Sequence, residues 1–456
     1  MKSFNRLNTI VSIKLSKMFS LTYQKLSVLS LNLQEQQIDN EDIEEIISVL
    51  ISSNDLSSLE IQLQSIYTIN LDGNLLDKAK CQDLCTLALD LSDNKINSAG
   101  IQHLGTLLQS CFNLTDLTLL LNNNNIQDQG AIILGKELQH LDGIKYLTIE
   151  LSQTQLGNRG ISSLVTSIAS IAPLLYLALN FNSNLFGNSG LHSMIDSIKN
   201  LSMLNTLSLS LSNNKIANIS SCNIISTLTK NNKLMSISLK LSSVLTNLMR
   251  KSRINSNDIY SICQGICRFF NLNNLYLSFS QNQIGNQGLQ ELCSQISCCQ
   301  NLQNLYLNLS QNQIENKGIS SIGQGIAQII NLSQLNLLLS NNKIESDGAK
   351  DLGQGIAQCS NLKKLTINLN DNQIKDQGLQ SLGQGIQQCQ NIEFLSISTI
   401  NNIVSPPGYY NFSKQIMNCT NLTFLIMKIF QLKANQVSQQ ITGLIYKTQK
   451  LIQFYI

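Results

Sequence analysis

The chain has 456 residues, a formal net charge of +3 and only 13% charged side chains. So thin a charge excludes a broad electrostatic footprint for nucleic acid or an anionic membrane surface. No run of 18 apolar residues is present to span a bilayer, and the opening MKSFNRLNTIVSIKLSKMF lacks an apolar stretch of signal-peptide length.

From residue 26 onward the chain repeats itself. NLQNLYLNLSQNQIENKGISSIGQGIAQII from Asn301 superimposes without a gap on NLSQLNLLLSNNKIESDGAKDLGQGIAQCS from Asn331. Leu-x-x-Leu-x-Leu-x-Leu runs begin at Leu26, Leu56, Leu84, Leu114, Ile144, Leu174, Leu204, Leu234, Leu272, Leu302, Leu332, Leu362, Ile392 and Leu422. Most spacings are 30, but Leu56 to Leu84 is 28 and Leu234 to Leu272 is 38. These fourteen units, with a fifteenth expected to begin at Leu451, make a solenoid in which each unit packs on its neighbours. The expected division is a cap over 1–25, the solenoid over 26–430, and a second cap or a truncated last repeat over 431–456.

Each unit carries two periods. Leu305, Leu307 and Leu309 alternate with Tyr306, Asn308 and Ser310, the period of two of a half-buried strand. The pattern then changes: Leu289, Leu292, Ile296 and Cys299 share one helical face, as do Ile161, Leu164, Ile168 and Ile171, and Leu379, Leu382, Ile386 and Cys389. Strand, loop, helix and loop in thirty residues give a β-α unit whose strands stack in parallel. Gly130, Gly288, Gly318, Gly348 and Gly378 are read as permitting a sharp turn into each helix.

The stretch LYLNLSQNQIENKGISSIGQGIAQ resembles a leucine-rich repeat of the ribonuclease-inhibitor type, also found in Ran GTPase-activating protein and in nucleotide-binding leucine-rich repeat receptors. The family unit L-x-x-L-x-L-x-x-N-x-L is lengthened here by two residues, which preserves the strand's phase. The resemblance implies an α/β horseshoe with a concave parallel sheet and convex helices. It also implies that the Asn recurring at 94, 124, 184, 214, 282, 312, 342, 372 and 402 buries its carboxamide against loop backbone.

Other motifs carry little chemistry. Gly130-Ala-Ile-Ile-Leu-Gly135-Lys136 imitates a phosphate loop, but Glu137 follows where Ser or Thr should hold the metal. Gly-Gln-Gly at Gly323, Gly353 and Gly383 is read as close approach of helix to sheet. His103, His140 and His192 stand far apart, and the Cys81/Cys85 and Cys263/Cys267 pairs lack partners of zinc-site spacing. No nucleophile-base set or carboxylate pair emerges, so neither an enzyme, nor a metal, nor a cofactor is expected. Cys111, Cys299, Cys359, Cys389 and Cys419 share one repeat position and read as small buried hydrophobes in a reduced, cytoplasmic protein. Asn and Gln make up about a fifth of the chain, read as a compositional habit at exposed positions.

Function is sought where the repeat breaks. The 38-residue unit carries eight extra residues in SSVLTNLMRKSR, with Met249, Arg250, Lys251 and Arg253, and Val244 interrupts the Asn series. Tyr146 with Tyr176, and Tyr276 with Tyr306, occupy equivalent outward positions on adjacent strands and are expected to stack. Outward positions turn apolar toward the end, at Phe394, Ile400, Phe424, Ile426 and Phe430. That last stretch is expected to be capped by the tail, to pair with another protomer or partner, or to continue into a further domain. The expected function is a non-catalytic scaffold that binds a protein on the concave face or at the loop near 244–253, without nucleic acid or membrane. The alternatives are a GTPase-activating regulator resembling Ran GTPase-activating protein, or the ligand-sensing half of a larger receptor or kinase.

Overall fold

Alternating Leu and polar residues do become strands. The structure, a computed structural model, describes residues 3–4, 27–34, 56–64, 83–216, 224–229, 231, 233–242, 254–428 and 451–455. The expected caps over 1–25 and 431–456 lie largely outside these. The chain forms two compact units, Met1–Ile216 and Ala217–Ile456.

In the first unit the strands run β1 (Ser3–Phe4), β2 (Val28–Asn32), β3 (Ser58–Gln62), β4 (Thr86–Asp90), β5 (Asp116–Leu120), β6 (Tyr146–Glu150), β7 (Tyr176–Asn180) and β8 (Thr206–Ser210). Each pairs in parallel with the next. Helices α1 (Ser98–Ser110), α2 (Gln127–Leu138), α3 (Asn158–Ile168) and α4 (Asn188–Ile198) alternate with them.

The second unit repeats the scheme with β9 (Ser236–Lys240), β10 (Asn274–Ser278), β11 (Asn304–Asn308), β12 (Gln334–Leu338), β13 (Lys364–Asn368), β14 (Phe394–Ser398), β15 (Phe424–Lys428) and β16 (Leu451–Tyr455), again all parallel in chain order. Its helices are α5 (Ile224–Leu228), α6 (Ser256–Cys263), α7 (Gly285–Ile296), α8 (Asn316–Ala327), α9 (Ser346–Ala357), α10 (Asp376–Gln388) and α11 (Pro406–Met417). Five-residue strands thus stand in all fourteen expected repeats. The fifteenth is present as β16, but in a different register: Leu451 pairs with Phe424, two positions into its repeat, instead of opening the run.

Alternation sets the layers. Leu305 and Leu307 are buried while Tyr306 and Asn308 on the same strand are half-exposed. The helical stripes Leu289–Leu292–Ile296 and Leu379–Leu382–Ile386 are buried against them, so the core of each unit lies between sheet and helices.

The Asn series is a buried ladder. The Asn124 amide donates to the carbonyls of Leu121 and Asn122 in its own turn and of Leu91 in the preceding one, at 3.0, 3.2 and 2.9 Å. Its oxygen accepts from the Ile96 N–H at 2.9 Å. Asn184, Asn282, Asn312, Asn342 and Asn372 repeat this scheme. These bonds satisfy loop N–H and C=O groups that a sheet cannot reach. Where the series has Thr154, its hydroxyl still donates to the Leu151 carbonyl at 2.7 Å. Val244 lies outside the described residues, yet Asn282 reaches across the insertion to the Leu241 carbonyl at 3.0 Å, so the next rung is complete.

The residue before each rung is left-handed. Asp93, Asn123, Gln153, Ser183, Asn213, Gln281, Gln311, Asn341, Asp371 and Asn401 have φ between 53° and 60°. Asn and Asp tolerate that conformation far better than branched residues do. The polar bias is therefore corrected in part: at these turns and rungs Asn, Asp and Gln hold the backbone, beyond any habit of composition.

Two glycine readings are also corrected. None of Gly130, Gly288, Gly318, Gly348 and Gly378 has a positive φ, so none serves a sharp turn. A Cβ there would lie 2.6 to 2.9 Å from a neighbouring side chain or backbone atom, such as Asn316 Oδ1 for Gly348 and the Ser256 Cα for Gly288. Gly288, Gly318, Gly348 and Gly378 are small because successive helices approach closely, whereas Gly130 makes room for the Ile126 side chain of its own turn. The Gly-Gln-Gly motifs act likewise between helices and not between helix and sheet: a Cβ on Gly355 would overlap the Gly323 backbone, and one on Gly385 the Gly353 backbone.

Candidate interaction surface

Strands β2 to β15 alternate buried residues with residues that point away from the core, and the latter make an outward face on each unit. The second unit holds two aromatic pairs on it. Tyr276 and Tyr306 are directly opposed in register, with ring centroids 3.8 Å apart and planes 8° from parallel. The Lys240 ammonium sits 5.3 Å from the Tyr276 centroid, so a cation caps the stack. Burial, reinforced by the Tyr276 side chain, pushes the Tyr306 phenol well above its ordinary pKa. Phe394 and Phe424 form the second pair, 5.3 Å and 7° apart.

Tyr146 and Tyr176 are opposed in register as expected, and Tyr146 is 45% exposed, but no stacking joins their rings. Their flanking partners in register are Asp116 and Thr206, which supply neither a ring nor a cation. Met249, Arg250, Lys251, Arg253 and Phe430 lie outside the described residues. β15 is not an open edge, because β16 of the same chain pairs along it from Phe424 to Lys428.

The outward residues sort by sign, a signal present in the strand pattern once outward positions are read for charge. Strands β1–β8 carry Glu60, Asp90, Asp116 and Glu150 and no Lys or Arg. Strands β9–β16 carry Lys240, Lys364 and Lys428 and no Asp or Glu. The carboxylates accept from neutral neighbours: Glu60 from Ser30 and Gln62 at 3.0 Å each, and Glu150 from Asn122 at 2.7 Å. Burial raises the Asp116 carboxyl above its usual range.

Among the described residues no group of three or more His, Cys, Asp or Glu side chains is placed to hold a metal ion, and no helix is long and apolar enough to cross a membrane. The segment Gly130–Lys136 lies inside α2, where its backbone N–H groups are committed to the helix. Nine described cysteines are free thiols. Cys111 is corrected: it is buried as expected, but it is bonded in a disulfide and is not a free thiol.

A profile of the leucine-rich repeat matches residues 85–105, 275–293, 299–323 and 358–383. These are leucine-rich repeats. No curated protein matches the chain. Among solved structures, a chain of the crystal structure of the Rad7 and Elc1 complex in yeast aligns with TM-score 0.50 and 16% identity, over 88% of this chain and 86% of that one. The likeness is one of fold. Actin-binding site 2 of leiomodin-1 aligns with TM-score 0.26 and 11% identity, over 42% of this chain and 88% of that one. Repeats of this kind present an extended face on each unit, an architecture that suits protein interaction.

Proposed function

We propose that the chain is a non-catalytic scaffold that binds a protein partner through its outward sheet face. The observation that carries this reading is the Lys240–Tyr276–Tyr306 stack, a preformed aromatic and cationic anchor on strands held by ladders on both sides. Tyrosine rings fixed in advance contribute contact area with little further ordering on association. Tyr146 and Tyr176 offer a second contact in the first unit, and Met249, Arg250, Lys251 and Arg253 a third at the insertion. The Rad7–Elc1 structure is itself a protein complex, which agrees with a binding role. The thirty-residue period with a helix per unit supports the ribonuclease-inhibitor subtype. Nine free thiols favour a reducing, cytoplasmic setting, and the Cys111 disulfide is the observation against it.

The test is a crosslinking pull-down from native extract with the intact chain, a version lacking 244–251, and the Tyr276→Ala/Tyr306→Ala variant. A partner retained by the intact chain and lost with the tyrosines is expected. A partner lost only with the loop moves recognition to the insertion. A partner list untouched by every variant refutes both surfaces.

A further inference from the structure

The second unit's outward face pairs an apolar patch with one sign of charge. Phe394 and Phe424 stack at the start of β14 and β15. Ile426 follows on β15 and Leu338 lies on β12, both half-exposed. Lys364 is directly beside Phe394 in register and exposed, and it makes no ion pair with any described residue. Lys428 is exposed at the far end of β15. Glu393, the residue before Phe394, has its carboxylate 3.7 Å from the Lys363 ammonium. Beyond Glu393 the sequence continues for 63 residues with five lysines and no Asp or Glu.

We propose that this face of the second unit, from β12 to β15, takes an acidic peptide segment of a partner protein, its apolar side chains on the Phe394–Phe424 pair and its carboxylates at Lys364 and Lys428. This rests on the scaffold reading and adds the chemistry of the partner. Apolar anchoring supplies affinity, and a field of one sign selects against basic segments, since like charges brought together cost several kcal/mol. A polynucleotide fits poorly. The phenyl rings already face each other, and three lysines spread over seven strands, about 29 Å at about 4.8 Å per strand, are too sparse for a phosphate chain. The first unit is the internal contrast, because its face carries Glu60, Asp90, Asp116 and Glu150 and should repel the same segment.

The full chain is titrated, with fluorescence anisotropy as the readout, into three labelled probes: a peptide of about twelve residues alternating Glu with Leu and Phe, its counterpart with Lys for Glu, and an oligouridine RNA. The acidic peptide is expected to bind at least tenfold tighter than the other two. Lys364→Glu should weaken it at least tenfold, while Asp90→Lys, a charge change of the same size and opposite sign on the first unit's face, should leave it within twofold. Lys364 is exposed, and a thermal melt monitored by circular dichroism confirms that the variant folds. Equal binding of the basic peptide, tighter binding of RNA, or indifference to Lys364→Glu overturns the proposal. So does a dimer in sedimentation that Lys364→Glu dissolves, which would make a second copy the occupant. If the acidic peptide fails to bind while the pull-down still returns a tyrosine-dependent partner, this inference falls and the scaffold reading stands.

Discussion

Asn312 shows how much one side chain carries. It is fully buried; its amide donates to the carbonyls of Phe279, Leu309 and Ser310, and its oxygen accepts from the Ile284 N–H. Removing the carboxamide strands buried backbone groups, each costing about 1–3 kcal/mol. Asn312→Ala should therefore lower the urea unfolding free energy by about 3 kcal/mol, and Asn312→Thr by less, because Thr154 shows a hydroxyl keeping one of the bonds. The buried thiols make a second prediction. Burial pushes Cys293, Cys299, Cys359 and Cys389 from an ordinary 9.0 up to about 12. A folded pKa raised above the unfolded one gives stability that is whole below pH 9 and is lost as pH rises toward 12. The melting temperature should fall across that window, and replacing the four with Ala should flatten the fall relative to the same variant's own neutral-pH value. At pH 8 iodoacetamide should label the exposed Cys85 and Cys298 and spare the four.

Helices α8, α9 and α10 touch backbone to backbone at their glycines. Gly355→Ala should destabilise by about 3 kcal/mol, at the upper end of overpacking costs, because the obstruction is main chain and no rotamer relieves it. Gly285→Ala, with φ +61° and no atom within 4 Å of the added carbon, should cost only about 1–2 kcal/mol for the left-handed conformation. Equal losses in chemical denaturation would contradict this account. Strands and helices were legible because periods of 2.0 and 3.6 leave unambiguous marks on Leu and Ile. The glycines were misread, since sequence records that a side chain is absent and not whether a turn or a neighbour demands it. The left-handed turn before each rung was missed for a related reason: Asp, Asn, Gln and Ser all occupy it, so no single letter advertises the conformation. A second ladder was missed as well. Asn301, Asn331, Asn361, Asn391 and Asn421 each donate to a carbonyl thirty-one residues earlier at the exposed loop before the strand. It hid among consensus residues that read as mere polarity. Register placed Tyr276 opposite Tyr306 and Tyr146 opposite Tyr176 alike, but only the first pair stacks, because ring orientation is not set by register.

Each repeat bonds chiefly to the repeats beside it, so damage should stay local. In the Asn312→Ala protein, hydrogen exchange should quicken in β10, β11 and β12 while amides of β4, β5 and β6 keep their protection. Uniform loss across both units would mean that the chain unfolds as one body. The division of charge between the two faces is invisible in a net charge of +3, because summing over the chain cancels the two signs. The Asn282 rung has a practical meaning at this scale. It closes between Leu241 and Ile254 although eight more residues separate them than in the neighbouring repeats. Lengthening a loop adds only about 0.6 kcal/mol per doubling. The junction after Ser242 is thus a natural grafting point, where a foreign epitope or a tether could be spliced into the protein with the rungs on either side left intact.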